Sequence, residues 1–274
     1  MNVGKIYGYM LRRSGSNRGC WGEPYFIERQ ARALYAILEL DFSFDTVLEI
    51  GCGKGLYAKI LHGLKPNCSY VGCDLDASTL KAAFRTKNTD YVLCDARMLP
   101  IKDSCVDLVI CSEVLEHLDS PYEVLSRLTA SSGKGFLITF PVEQLGQKIG
   151  ITHPEHVQNI QLGKIKDALE SKKFGILTAR EIARFFVPCG ILEFLHVPRS
   201  AIAMSLLKAI DTILCRTVPT IFVPNRVILV IAAKKPESHK GTEKEEPIAR
   251  HFAGRSIHNN GLDRSLKLGV LRQV

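Results

Sequence analysis

The sequence predicts an α/β fold built on a doubly wound, mostly parallel sheet with helices on both faces. Short apolar runs rich in β-branched residues alternate with helical segments, which is typical of strands covered on both faces. The predicted strands lie at 46–50, 70–73, 91–94, 106–111, 135–140 and 225–233. Apolar residues at helical spacing predict helices at 23–40, 56–61, 77–85 and 122–130.

The pattern is looser after Phe140. Residues 163–176 predict a helix leading into a short strand, and "TAREIARFFVPCGI" (178–191) predicts another helix. Residues 200–214 predict an amphipathic helix whose apolar stripe includes Ile202, Leu206, Ile210 and Ile213. Core packing is the expected role of this stripe, and peripheral contact with a membrane or a lipid-linked substrate is the alternative.

The 274 residues suit one sizeable domain with attachments. We expect a flexible arm at 1–22, the domain at 23–233 with an insertion at about 141–224, and a disordered basic tail at 234–274. The formal charge of +8 would favour acidic partners, but much of the basic excess lies near the two ends. Basic ends are more often solvated tails than nucleic-acid surfaces.

The nine cysteines form no C-x-x-C pair and have no zinc-type spacing. The chain opens without the apolar region of a leader peptide, so reduced thiols and a cytoplasmic location are expected. No apolar run reaches the roughly 18 residues that a membrane span needs.

A glycine-rich turn follows the first strand in "VLEIGCGKG" (47–55). Its spacing is G-x-G-x-G, which differs from the G-x-G-x-x-G of dinucleotide sites and from the P-loop. Glu49 precedes the first glycine by two residues. A carboxylate there suits a ligand with a cationic amino group better than it suits a pyrophosphate.

Acidic residues also end the next two predicted strands. Asp74 ends the second strand, where its carboxylate can accept both hydroxyls of a ribose, and Asp95 ends the third. Asp74 could instead cap the following helix, Asp76 competes for the ribose role, and Asp95 could cap a turn. All these positions fall at the carboxyl ends of parallel strands, where such sheets bind ligands.

Together, "VLEIGCGKG", "GCDLD", "CDARMLPIKDSCVDLVICSEVLEHL" and "GFLITFP" resemble the class I S-adenosylmethionine-dependent methyltransferases. The resemblance implies a seven-stranded sheet whose last hairpin is antiparallel. It also implies a binding role for eight residues: Glu49, Gly51 and Gly53 at the methionine end, Asp74 at the ribose, Asp95 and Ala96 at the adenine, and Cys111 and Ser112 under the methyl sulfonium.

The candidates for the chemistry follow the fourth strand, in "EVLEHL". On a helix Glu113, Glu116 and His117 would share one face. The motif resembles the E-x-x-E-H of ubiquinone-pathway O-methyltransferases and of small-RNA terminal 2′-O-methyltransferases, in which it supports metal-assisted methylation of oxygen. The resemblance implies a Mg²⁺-type site completed by His153 or His156. A metal-free base at His117 or His156, assisted by Glu116, and catalysis by proximity alone are the alternatives.

No [DNS]-P-P-[YFW] motif follows the fourth strand, so amino groups are not the expected acceptors. We expect an oxygen of a small molecule, glycan or lipid-linked intermediate, held under the apolar part of the insertion (179–224). An RNA 2′-O-methyltransferase that grips RNA with its basic ends is the second hypothesis. A non-catalytic protein that binds S-adenosylmethionine is the third. The sequence leaves the oligomeric state open.

Overall fold

The computed structural model describes residues 23–39, 43–99, 102–142, 156–185 and 225–235, with single positions at 206, 209, 210, 213, 214 and 217. The predicted arm and the tail beyond 235 lie outside the described residues, as do His153 and most of 186–224. The flexible arm, the disordered tail and the role of His153 therefore stay predictions.

The described strands form one seven-stranded sheet in the order β3-β2-β1-β4-β5-β7-β6. The strands are β1 Thr46–Ile50, β2 Ser69–Asp74, β3 Thr89–Leu93, β4 Val106–Ser112, β5 Ser132–Val142, β6 Phe174–Phe185 and β7 Asn225–Lys234. The first five are parallel, and β7 runs antiparallel to both β5 and β6. The predicted fold class is therefore confirmed, including its antiparallel last strand.

The described helices cover both faces of the sheet. They are α1 Glu23–Glu39, α2 Leu56–Leu64, α3 Ala77–Lys81, α4 Pro121–Ser131 and α5 Leu162–Glu170, with short 3-10 turns at Ala96–Met98 and Leu115–His117. α3 is shorter than predicted. Its continuation is held by tertiary contacts instead, because the amide of Phe84 donates to Lys54 O at 3.0 Å and Tyr91 Oη donates to Phe84 O at 2.5 Å.

Alternation along β4 separates two hydrophobic layers. Leu108 and Ile110 pack with α1 and α2 on one face, whereas Val109 and Cys111 pack with α4 and α5 on the other. Successive side chains of a strand point to opposite faces, so β4 sends alternate residues to opposite layers. This alternation decides which face each functional residue near the end of β4 occupies.

The predicted helix at 178–191 is wrong over its described part. Residues 178–185 continue β6, which pairs with β7 from Phe174–Lys234 to Phe185–Asn225. Two register shifts, at Ile176/Thr178 and Glu181/Ala183, accompany the pairing. The long antiparallel pairing with β7, a strand rich in β-branched residues, therefore outweighs the helical spacing of the apolar residues in this segment.

The predicted core packing of the 200–214 stripe is wrong where it is described. Leu206, Ile210 and Ile213 are 60%, 51% and 60% exposed. Contact of this stripe with a membrane or a lipid-linked substrate stays a prediction. Among the described residues, no helix combines the length and apolarity needed to cross a bilayer.

Candidate functional site

The turn between β1 and α2 holds its glycines in left-handed backbone conformations. Gly51 has φ 65° and Gly53 has φ 51°. A Cβ on Gly51 would lie 2.4 Å from Cγ2 of Val114, so this position requires glycine for space as well. A Cβ on Gly53 would have none of the described atoms within 4 Å. Gly53 therefore borders open space in which a ligand can reach the backbone.

Glu49 lies beneath this turn and is 4% exposed. The Tyr70 hydroxyl donates a hydrogen bond to Glu49 Oε2. Burial raises the pKa of the Glu49 carboxyl well above its usual range, although the bond from Tyr70 acts in the opposite direction. A cationic ligand group beside Glu49 would favour its ionised form, which is the interaction predicted for the methionine end of the donor.

Asp74 ties the end of β2 to the glycine turn. Its Oδ2 accepts from the amide of Gly53 at 2.8 Å and its Oδ1 accepts from the amide of Asp76 at 3.0 Å. Asp76 itself caps α3 by accepting from the amide of Ser78 at 2.8 Å, and hydrogen bonds to Ser78 and Thr79 lower its pKa to about 2. The cap therefore belongs to Asp76. Asp74 lies beside the glycine turn, at the place predicted for the ribose.

Asp95 is engaged by Arg97. It accepts from the Arg97 amide at 2.8 Å and from Arg97 Nη2 at 2.6 Å, and these bonds lower its pKa. The predicted turn cap is thus present, while contact of Asp95 and the half-buried Ala96 with adenine stays a prediction. The sequence reasoning missed two apolar side chains near these acids, Leu75 and Met98, which are 64% and 79% exposed. Their exposure beside Asp74 and Asp95 suits a flat apolar ring of a ligand.

Cys111 and Ser112 end β4 with their side chains on opposite faces. Cys111 is fully buried, and burial raises the pKa of its thiol. Ser112 Oγ lies 2.7 Å from Thr139 Oγ1, accepts from Gln30 Nε2 at 3.0 Å and accepts from the Tyr57 hydroxyl at 3.3 Å. Contact of Cys111 with the donor sulfonium would therefore use the backbone, since its thiol faces the core.

Glu113 is held by α1. Its Oε2 lies 2.9 Å from Arg29 Nη1, and its Oε1 accepts from Thr139 Oγ1 at 3.2 Å. Its own backbone is left-handed, with φ 57°, which is uncommon for a residue with a side chain. Arg29 and its neighbour Gln30 could not be singled out from the sequence, because they belong to a run of three polar residues, 28–30, in an amphipathic helix.

Glu116, His117 and His156 form a group that we call the histidine cluster. One ligand atom from each lies within 4.8 Å of the others, and the two imidazole rings are 4.9 Å apart. Glu116 is buried, His117 is exposed and His156 is half-buried. The structure thus brings together three of the four predicted metal ligands that it describes. Glu113 lies with Arg29 instead.

Two groups of candidate residues lie at the carboxyl edge of the sheet. Glu49, Gly53, Asp74 and Asp95 lie at or just after the ends of β1, β2 and β3, where the sequence predicts the donor crevice. The histidine cluster follows the end of β4, the neighbour of β1 on the other side. Because β1 and β4 are neighbours, a ligand bound at the end of β1 can direct one of its groups toward the histidine cluster after β4.

The chain is similar to known methyltransferases in part of its sequence and in its fold. The sequence model of a family described as "Methyltransferase domain" matches residues 48–134. The tRNA (carboxymethyluridine(34)-5-O)-methyltransferase of Arabidopsis thaliana is 30% identical over 115 residues, which are 40% of this chain and 27% of that protein. The malonyl-[acyl-carrier protein] O-methyltransferase of a Marinomonas strain is 28% identical over 160 residues, 54% of this chain and 58% of that protein. The chain thus spans well under two thirds of either relative.

A solved structure of geranyl diphosphate methyltransferase in complex with S-adenosylmethionine shares the fold. The TM-score is 0.52 at 14% identity, over 75% of this chain and 85% of the other. The family match lies across the glycine turn, Asp74 and the histidine-bearing turn after β4, and the sheet order is that of the fold. The match over residues 48–134 and the sheet order together identify a methyltransferase domain, for which the sequence predicts S-adenosylmethionine as the methyl donor.

Proposed function

We propose that this protein transfers the methyl group of S-adenosylmethionine to an oxygen of a small molecule, glycan or lipid-linked intermediate. The observation that carries the proposal is the histidine cluster, which gathers a carboxylate and two imidazoles at the strand end next to the donor crevice. Both relatives above are named as O-methyltransferases, which supports the same acceptor atom.

The proposed reaction is an in-line displacement at the donor methyl group. The acceptor oxygen forms the new C–O bond, the C–S bond breaks, and its electron pair goes to sulfur. The hydroxyl proton passes to an imidazole of His117 or His156, which acts as a general base. Glu116 offers a carboxyl oxygen within 4.8 Å of a nitrogen of each imidazole, so it can orient the ring that takes the proton.

The same three side chains also fit a divalent cation. Imidazole nitrogens suit Zn²⁺, Mn²⁺ or Fe²⁺ better than Mg²⁺, which prefers oxygen ligands. When bound, such a cation would polarise the acceptor oxygen and lower its pKa. Glu116, His117 and His156 would hold it. Mass-spectrometric metal content and melting temperature, measured with each cation and after chelation, test this binding independently of activity.

The test of the proposal uses tritiated S-adenosylmethionine with three acceptor fractions: aqueous small molecules, lipids and total RNA. We expect label in the first or second fraction, and at least about tenfold less of it with Asp74→Ala at low donor concentration. His117→Ala or His156→Ala, whichever removes the base, should bind the donor normally but transfer at least about 100-fold more slowly, the lower range of general-base effects. His62→Ala, on the exposed face of α2, is the matched control and should transfer normally.

Transfer to RNA alone would replace the proposal with the second candidate, which one observation favours. The relative from Arabidopsis thaliana is named for methylation of tRNA. Donor binding without transfer to any fraction would favour a non-catalytic binding protein. Normal transfer by both His117→Ala and His156→Ala would remove the imidazoles from the mechanism, and transfer to an amine would refute the assignment to oxygen.

A further inference from the structure

An apolar cavity lies beyond the histidine cluster, at the carboxyl end of β5. Its volume is about 390 Å³. Its walls come from the ends of β5 and β7 and from the chain leading into α5: Phe140, Val142, Asn159, Ile160, Gln161, Leu162 and Ile228. Phe140 and Ile228 lie opposite each other in the β5–β7 pairing. Most of the lining contributed by the described residues is therefore hydrocarbon.

The cavity and the histidine cluster lie on the same face of the sheet. Phe140 and Ile228 belong to the hydrophobic layer that also contains Leu115, in the turn that carries Glu116 and His117. Arg29 and Ser112, by contrast, lie toward the α1 layer. A ligand on the cavity face can reach the cluster without crossing the sheet.

One short segment, residues 156–161, connects the histidine cluster to the cavity. Val157 and Gln158 both donate their amides to Glu116 O, at 3.0 and 3.1 Å, which places His156 beside His117. Asn159 follows three residues after His156 and already lines the cavity, so at most about 11 Å of extended chain separates them. The amide of Gln161 is fixed in turn by the Tyr122 hydroxyl at 3.0 Å.

We propose that this cavity binds a single hydrocarbon chain of the acceptor, whose hydroxyl then reaches the histidine cluster. This inference rests on the proposed function and narrows its acceptor class. At about 30 Å³ per non-hydrogen atom, as for water, the cavity of about 390 Å³ has room for roughly thirteen such atoms. The volume and the apolar walls of the cavity are typical of small-molecule sites, which enclose about 300–1,000 Å³.

A glycan fits this lining poorly. Its hydroxyls would lose their water against Phe140, Val142 and Ile228 with few polar partners, and burying an unpaired hydroxyl is unfavourable. A hydrocarbon chain has no such groups to satisfy. The amide side chains of Asn159 and Gln161 supply polar groups within the same wall.

The experiment is calorimetric titration of the full chain, saturated with S-adenosylhomocysteine, with catechol, 4-butylcatechol and 4-octylcatechol. Binding should tighten by about fourfold per added methylene until the cavity is full. Val142→Trp fills the cavity and should remove this gain while leaving catechol binding unchanged. Val92→Trp, the same substitution on exposed β3, should keep the gain. Leu162→Gln adds an amide without adding bulk, and it should reduce the gain if Val142→Trp does not fold.

Equal affinity for the three catechols, or a full gain in both cavity variants, would overturn the inference. The proposed function is tested separately by methyl transfer to the same catechols. Chain-dependent binding without transfer would leave the cavity assignment standing and count against the proposed function. Methyl transfer at a rate that does not depend on chain length would support the proposed function and count against the cavity assignment.

Discussion

Replacing Glu49 with glutamine should stabilise the ligand-free protein increasingly as the pH rises, while abolishing donor binding. Glu49 is 4% exposed and accepts a hydrogen bond from Tyr70. Glutamine keeps an oxygen for that bond and adds no charge. Burial raises the folded-state pKa of Glu49 well above its ordinary value of 4.5. The substitution therefore removes the cost of ionising a carboxyl in the core.

The sign follows from proton counting. Between the unfolded and the folded pKa, the folded state keeps a proton that the unfolded state has released. The free energy of unfolding then falls as the pH rises, by about 1.4 kcal/mol per pH unit. Glu49→Gln lacks this slope. Its advantage over wild type should therefore be small near pH 4.5 and should grow by about 1.4 kcal/mol per unit until the folded pKa is reached.

Urea unfolding at pH 5, 6, 7 and 8 measures this difference. The same substitution at the exposed Glu170 controls for removal of a negative charge. Calorimetry in buffers of different ionisation enthalpy adds a second measurement, because a cationic donor that draws Glu49 into its charged form releases a proton on binding. Parallel stability curves for wild type and Glu49→Gln would refute the reasoning, as would a curve in which wild type gains on the variant.

Three other perturbations have defined outcomes. Asp74→Ala should weaken S-adenosylmethionine binding at least about tenfold by calorimetry, through loss of roughly 1.5 kcal/mol or more of charged hydrogen bonding, and an unchanged affinity would move the ribose site elsewhere. Gly53→Ala should destabilise the protein by about 1–2 kcal/mol, because alanine is disfavoured in the left-handed backbone conformation of Gly53. It should also weaken donor binding, because the new methyl group enters the open space beside Gly53. Unchanged donor binding would show that the donor lies elsewhere. Arg29→Met should lower the free energy of unfolding, measured in urea, by about 1–3 kcal/mol. Adding Glu113→Gln to this variant should restore part of the loss. If the losses of the two substitutions simply add, the two side chains 2.9 Å apart are not energetically coupled.

The approach of Asp74 to the glycine turn could be predicted from the sequence because its signals are local. The apolar run of β1, the glycines that follow it and the acid that ends β2 each fix a backbone conformation within a few residues. Parallel strands then bring their carboxyl ends to one edge, so Gly53 and Asp74 meet without further information. The structure adds that Asp76 caps the following helix, whereas the ribose role of Asp74 stays a prediction.

The contribution of α1 could not be predicted in the same way. Gln30 meets Ser112 across 82 residues of sequence, and Arg29 meets Glu113 across a similar separation. Nothing in either local pattern specifies the other partner. β6 has the same character, because its residues have helical spacing and only pairing with β7 makes them extended. Non-local pairing of this kind overrides local propensity.

The division of the predicted four-ligand site has a backbone cause. Placing Glu113 on one face with Glu116 and His117 requires a regular helix, in which residues three and four apart are neighbours. The chain instead passes through a left-handed conformation at Glu113, with φ 57°, and turns into a 3-10 turn only at Leu115. Glu113 is therefore directed to Arg29, while Glu116 and His117 join His156 on the cavity face. A cation in the histidine cluster could recruit Glu113 only by breaking the pair with Arg29, so Arg29→Met should tighten cation binding if Glu113 is a ligand and leave it unchanged if the cluster suffices.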